Sequence, residues 1–189
     1  MLYNDPTSYM TGKCLIAMPN MADERFKNAV IFICSHSKDG AMGIIVNHKA
    51  YNFTFKDLSK QLSIETKTNK KVIVHNGGPV EKIRGFVLHS TDYVGNGTIM
   101  IDKNIAISAS IEILNDIAKG NGPKENIIAL GYSYWHADQL ENEILQNSWL
   151  TVPYSKELLF ETTIDNKWKK ALDILGIDLS RLSLISGHA

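Results

Sequence analysis

The sequence predicts an α+β fold: one compact domain with a large mixed, mostly antiparallel β-sheet flanked by about four helices. Three observations carry this. Short runs rich in Val, Ile and Phe crowd the first half of the chain, helical stripes fall mostly in the second, and no strict strand–helix alternation joins them. At 189 residues the chain supports one well-buried core rather than two. Residues 1–12 read as an N-terminal extension and 13–189 as a single domain.

Strands are expected at Lys13–Ala17, Ala29–Ser35, Met42–Asn47, Val72–His75 and Gly85–His89, each bounded by Gly, Asn, Asp or Pro. Further strands follow at Thr98–Ile101, Asn126–Leu130, Trp149–Val152 and Glu157–Phe160. The Asp39-Gly40 pair in SHSKDGAMG predicts a hairpin that sets Ile33 and Ile44 on facing strands. Helices are expected at Thr54–Leu62, with Thr54 as N-cap and Asp57 three residues on, and at Ser108–Lys119, stopped by Gly120. Asp138–Asn147, with Asp138 as cap, and Thr163–Leu175, ended by Gly176, complete the set. No internal repeat, low-complexity tract or flexible linker interrupts the chain.

Composition narrows the function. Hydrophobic residues make up 44% and charged ones 21%, which excludes wholesale disorder. Twenty basic residues balance twenty acidic ones, so no global field draws phosphate backbones or an anionic membrane. Lys67, Lys70 and Lys71 form only a small basic loop. The stretch MLYNDPTSYMTGK lacks the cationic and apolar regions of a secretory signal, and the strongest apolar run, Ala29–Cys34, is strand-sized. Cys14 and Cys34 lie in apolar runs and read as buried free thiols. The expectation is a cytoplasmic protein without a membrane partner, cofactor or metal.

The residues that could carry chemistry are sparse. HNGGPVEKIRGFVLHS (75–90) sets a Gly-Gly-Pro turn between two histidines. Pro79 offers no N–H, no Lys-Ser/Thr pair follows, and the next run is strand-like, so a reversal between neighbouring strands is preferred to a phosphate cradle. His36, His75 and His89 end apolar runs and His48 follows one. None has a His-x-x-x-His or Cys-x-x-Cys partner that would suggest a metal. There is no Gly-x-Ser-x-Gly elbow. In GYSYWHADQLENEILQNSWL (131–150), Tyr132, Tyr134, Trp135 and His136 lie between a strand and a capped helix. Rings there could stack a ligand, but roofing the core is the preferred reading.

Several motifs stand together in order: LIAMPNM with Asp23 and Phe26, His36 with GAMGIIVN, GGPV with RGFVLH, and LGY with Trp135. QLENEI with NSWL, then ELLF, Trp168, Ala171 and Gly176 close the series. In these the chain resembles the YqgE/AlgH family of bacterial proteins, from Leu15 almost to the C-terminus. The resemblance implies a compact α+β fold with a large mixed sheet and no established enzymatic activity or cofactor. It also carries the label of transcriptional regulator, from one branch named for regulation of alginate synthesis. Neutral charge and the absence of a helix-turn-helix pair suit that label poorly. The chain departs from the family in having His48-Lys49-Ala50 after Asn47, and Tyr134, His136 and Asp138 where glycines are usual.

The expected function is a non-catalytic binding or regulatory protein with an unidentified ligand or protein partner. Its candidate surface is Asn47, Gly77, Gly78, Arg84, His89, Trp135 and Gln139, because function concentrates on loops held by a scaffold. The alternative is a small hydrolase or metal-assisted enzyme with His36, His89 and Arg84 in one cleft.

Overall fold

The computed structural model describes residues 9–67 and 72–178. Lys70, Lys71, His188 and most of the N-terminal extension lie outside them. The strands are β1 (Lys13–Ala17), β2 (Val30–Ser37), β3 (Gly40–Ile45), β4 (Val74–Asn76), β5 (Val80–Ser90), β6 (Thr98–Met100), β7 (Ile105–Ser108), β8 (Asn126–His136) and β9 (Trp149–Pro153). They form one sheet in the order β6-β7-β5-β8-β3-β2-β1-β9, with β4 also paired to β8. Every pairing is antiparallel except β4 with β8, so the sheet is mixed as expected. The hairpin forms at Lys38-Asp39, with Phe32 opposite Ile44.

The sheet curls. Cys14, Phe32, Ile44, Leu88, Ile107, Ile127 and Val152 come from strands spread across its width, yet they pack in one interior cluster with Leu158, Leu159 and Leu172. A flat sheet could not bring β7 and β9 into one core. Burying each such side chain contributes roughly 1.5–3 kcal/mol. At the seam, the Tyr154 hydroxyl after β9 donates to Asp102 Oδ2 in the β6–β7 turn at 2.6 Å, joining the two edges. The outer face carries two further clusters. Helix α3 (Gln139–Leu145) covers Leu15, Ile31, Trp135 and Trp149. Helices α1 (Phe55–Gln61) and α2 (Ile111–Lys119) cover Val74, Val87 and Ile128.

The Gly-Gly-Pro segment is not a reversal between neighbours. Leu130 of β8 pairs with Asn76 of β4 and with Gly85 of β5. A strand has only two hydrogen-bonding edges, so β4 and β5 flank β8 on opposite sides. Residues 77–79 must therefore cross its backbone. A Cβ on Gly77 would lie 2.3 Å from the Gly131 carbonyl oxygen, and one on Gly78 would lie 2.2 Å from the Tyr132 carbonyl carbon. Backbone crosses backbone here at a spacing that only glycine permits.

The helices follow the expected stripes with three corrections. Thr54 and Asp57 do form a reciprocal capping box, and Gly120 ends α2 in the left-handed conformation. However, α2 starts at Ile111, because Ile105–Ser108 is taken up as β7 between β5 and β6. Asp138 makes no side-chain cap. Strand β8 runs on to His136, and the two-residue turn forces Asp138 to φ 60°. The run Glu157–Phe160 is a π-helical turn (Glu157–Glu161) rather than a strand. A 3-10 turn, Ile164–Asn166, precedes α4 (Lys167–Ile174).

Lys167 explains the π-turn. Its buried ammonium donates to the carbonyls of Leu158, at 3.0 Å, and Leu159, consuming acceptors a regular helix would have used internally. Burial lowers its pKa to about 8, with Cys14 opposing the shift. The folded pKa lies below the unfolded value of about 10.4, so the unfolded chain holds more protons in that window. The stability contributed at Lys167 therefore rises as pH climbs from about 8 toward 10.4. Urea unfolding of the wild type against Lys167→Met should show a difference that grows in favour of the wild type across that range. A pH-independent difference would contradict this assignment.

Candidate functional site

The structure distributes the seven candidate residues over several environments. The Asn47 side chain accepts from the Val30 N–H and donates to the Asn28 carbonyl, each at 2.7 Å, and so fixes the start of β2. Gly77 and Gly78 are buried in the crossover. Arg84 is exposed on a bulge of β5, donating to Glu81 at 3.0 Å and lying over the Phe86 ring. His89 is fully buried at the far end of β5, between the Ser90 carbonyl and the Ser108 hydroxyl, each at 2.9 Å. Arg84 and His89 are five residues apart on one strand, roughly 17 Å.

Trp135 and Gln139 do meet, around Glu143. One carboxylate oxygen of Glu143 accepts the indole N–H groups of Trp135 at 2.9 Å and Trp149 at 2.8 Å, and the other accepts from Gln139 at 2.8 Å. The Gln139 carbonyl takes the His136 N–H. This network pins α3 to β8 and β9, with its side-chain hydrogen bonds made internally.

The histidines are equally separated. His36 Nδ1 accepts the Met10 N–H at 2.9 Å, which leaves the proton on Nε2, 2.8 Å from Glu141. His75, 6% exposed, pairs with the Ile128 carbonyl. Burial lowers its pKa to about 4, and burial also lowers that of His89. A folded pKa below the unfolded 6.5 means that stability from His75 is complete above about pH 6.5 and is lost as pH falls toward 4. His75→Gln should flatten the acid limb of the stability profile between those values, and the His75 ring signals should not titrate above pH 5. Titration near pH 6.5 would contradict its burial. Among the described residues no three His, Cys, Asp or Glu side chains are grouped as metal ligands would be.

A recess lies elsewhere, at the seam of the curled sheet. It is a half-open cleft of about 600 Å³, walled by the end of β5 (Ser90, Thr91, Asp92), the start of β7 and the approach to β8. The segment after β9, with Tyr154 and Phe160, completes it. Its size falls in the range of small-molecule sites. Asp102 fixes one wall by accepting the Asn104 and Ile105 N–H groups, and the Ser90 hydroxyl fixes another by accepting the Glu125 N–H at 3.1 Å.

The sequence pattern of the AlgH-like family matches residues 14–180. The chain belongs to the AlgH-like family. It is 47% identical over 182 residues to a UPF0301 protein of Rhodospirillum rubrum, covering 96% of this chain and 95% of that one. A UPF0301 protein of Mesorhizobium japonicum is 45% identical over 189 residues, covering 96% and 93%. The solution structure of the AlgH protein from Pseudomonas aeruginosa superposes over the whole of both chains with a TM-score of 0.77 and 36% identity. A crystal structure of a Corynebacterium diphtheriae protein, at 18% identity and a TM-score of 0.70, shares the fold over 92% of this chain and 90% of that one. No helix among the described residues of this AlgH-like chain is long and apolar enough to cross a membrane.

Sequence reasoning missed this cleft. Its walls come from four separated segments that only curling brings together, and the quoted motifs reach them only at their ends, Ser90 and Phe160. The Asp102–Tyr154 pair that sets the seam spans 52 positions.

Proposed function

We propose that this AlgH-like chain is a non-catalytic binding protein of the cytoplasm that takes a small ligand in the seam cleft. One observation carries the reading. The histidines that end apolar runs are occupied within the fold, whereas the cleft keeps an open volume of about 600 Å³. His36, His75 and His89 each hold a backbone or side-chain partner, and they lie in separate surroundings. Cys14 and Cys34 are buried free thiols, consistent with a reducing compartment. Burial pushes the Cys14 thiol up to about 12, far from a reactive thiolate.

A ligand-observed NMR screen of small polar and aromatic fragments tests this. Binders should be found that lose their signal with Asn104→Trp, whose ring would fill the rim of the cleft, while the variant stays folded. Generic ester and phosphate substrates should not turn over. Binding that ignores Asn104→Trp would remove the cleft assignment, and turnover lost in that variant would remove the non-catalytic one.

A further inference from the structure

We propose that Asn96 is a site of spontaneous covalent modification, converting to aspartate and isoaspartate in the folded protein. Asn96 takes no part in walling the seam cleft. The chemistry is that of an Asn-Gly pair. The backbone nitrogen of the glycine attacks the asparagine Cγ, and a five-membered imide closes. The side-chain nitrogen leaves as ammonia, taking the displaced N–H proton. Water then opens one of the two imide carbonyls, giving aspartate or an isoaspartate whose chain runs through the former side chain. Glycine favours the attack because no Cβ shields its nitrogen or restricts the rotation that ring closure needs. The sequence holds three such pairs: Asn76-Gly77, Asn96-Gly97 and Asn121-Gly122. The fold separates them, since attack needs a glycine nitrogen free of a hydrogen bond and a backbone free to turn.

At Asn76 both needs fail. The Gly77 N–H donates to the Leu130 carbonyl at 2.8 Å, the Asn76 side chain accepts the Gly78 N–H at 3.3 Å, and Gly77 is buried in the crossover. At Asn121 the following glycine is packed against the last turn of α2. A Cβ on Gly122 would lie 2.5 Å from Ile117 Cγ1, and Pro123 stiffens the exit. Asn96 and Gly97, by contrast, are both exposed and make no hydrogen bond among the described residues. They sit at the centre of a turn closed by the Thr98 N–H on the Gly95 carbonyl at 3.2 Å. Gly97 has φ 76° and Asn96 is not left-handed, the pattern of a type II turn, whose central peptide takes no part in closing it. The turn also starts a chain of hydrogen bonds into the sheet. The Gly95 N–H donates to Thr98 Oγ1 at 3.0 Å, and the Thr98 and Ser108 hydroxyls pair at 2.9 Å. Ser108 in turn pairs with His89 Nε2 at 2.9 Å. Isoaspartate adds a backbone atom inside this turn and breaks its closure, whereas aspartate keeps the backbone as it is.

The test is peptide mapping by mass spectrometry of the folded full chain during incubation in warm neutral buffer, beside a sample unfolded in guanidinium chloride. In the folded chain Asn96 should gain the mass difference between amide and acid at least about tenfold faster than Asn76 or Asn121, whose glycines must first be released from their neighbours. In the unfolded chain the three should convert at similar rates. Gly97→Ala should slow conversion at Asn96 while the chain stays folded. No conversion at Asn96, or conversion of Asn76 or Asn121 at the same rate in the folded chain, would overturn the assignment. The isoaspartate form, once separated, should shift the amides of Thr98 and Ser108 and the His89 ring signals by more than the aspartate form does. Equal shifts from the two forms would overturn the coupling of this turn to β7.

Discussion

Gly78→Ala will destabilise the protein by about 3 kcal/mol or more, measured as the loss in unfolding free energy in urea. The new methyl would lie 2.2 Å from the Tyr132 carbonyl carbon, 2.3 Å from its oxygen and 2.5 Å from the Ser133 nitrogen. All three are backbone atoms of β8, the strand that pairs with β3, β4 and β5, so the clash has no flexible side chain to absorb it. The backbone at Gly78 also sits at φ 152°, which favours glycine. Gly97→Ala is the control. Gly97 has φ 76°, but no atom lies within 4 Å of the place its new methyl would take, so it should cost only about 1 kcal/mol, the left-handed conformation alone. If the two variants cost the same, the crossover is not the tight contact described.

Glu143→Ala should cost about 2–4 kcal/mol and shift tryptophan emission to the red. The substitution leaves the buried Trp135 and Trp149 indole N–H groups without an acceptor, each worth about 1–3 kcal/mol. It also frees the Gln139 amide within α3, so α3 loses one tie to β8 and one to β9 at once. Glu143→Gln keeps one carbonyl oxygen able to accept both indoles but turns an amide N–H₂ toward Gln139. Its cost should be about half that of the alanine variant. Because the network is internal, neither variant should alter ligand binding in the seam cleft once folding is accounted for. A loss of binding at full folding would return Trp135 and Gln139 to a ligand-contacting role.

Much of the fold is legible in the sequence because it is locally encoded. Thr54 and Asp57 announce the start of α1 within four residues, and Gly120 ends α2 as its position after Lys119 implies. The Asp39-Gly40 signal gives the β2–β3 hairpin. What escapes a sequence reading depends on partners remote in the chain. Glu157–Phe160 has the apolar run of a strand, yet Lys167 draws its carbonyls into a π-turn from eight and nine residues away. Ile105–Ser108 escapes as a strand, with Ser108 taken as the start of the expected helix, because no Gly or Pro separates β7 from α2. The bend at 77–79 is legible but its crossing of β8 is not, since nothing in HNGGPV names the strand beneath it.

The candidate site is less legible for the same reason. Asn47, Trp135 and Gln139 are distinctive in sequence, and each ties one segment to another inside the fold. Lys124 and Asn104 have no distinctive neighbours and become notable only when the sheet curls and β9 meets the β6–β7 turn.

The most direct measurement is an amide-resolved footprint of the full chain against a mixed library of acidic, basic and neutral fragments. The account predicts saturable shifts concentrated at residues 90–92, 104–105, 124–125 and 154–160, with Gly77, Gly78, Trp135 and Gln139 unmoved. Shifts centred instead on Arg84, Tyr132 and Tyr134, with the seam silent, would contradict it.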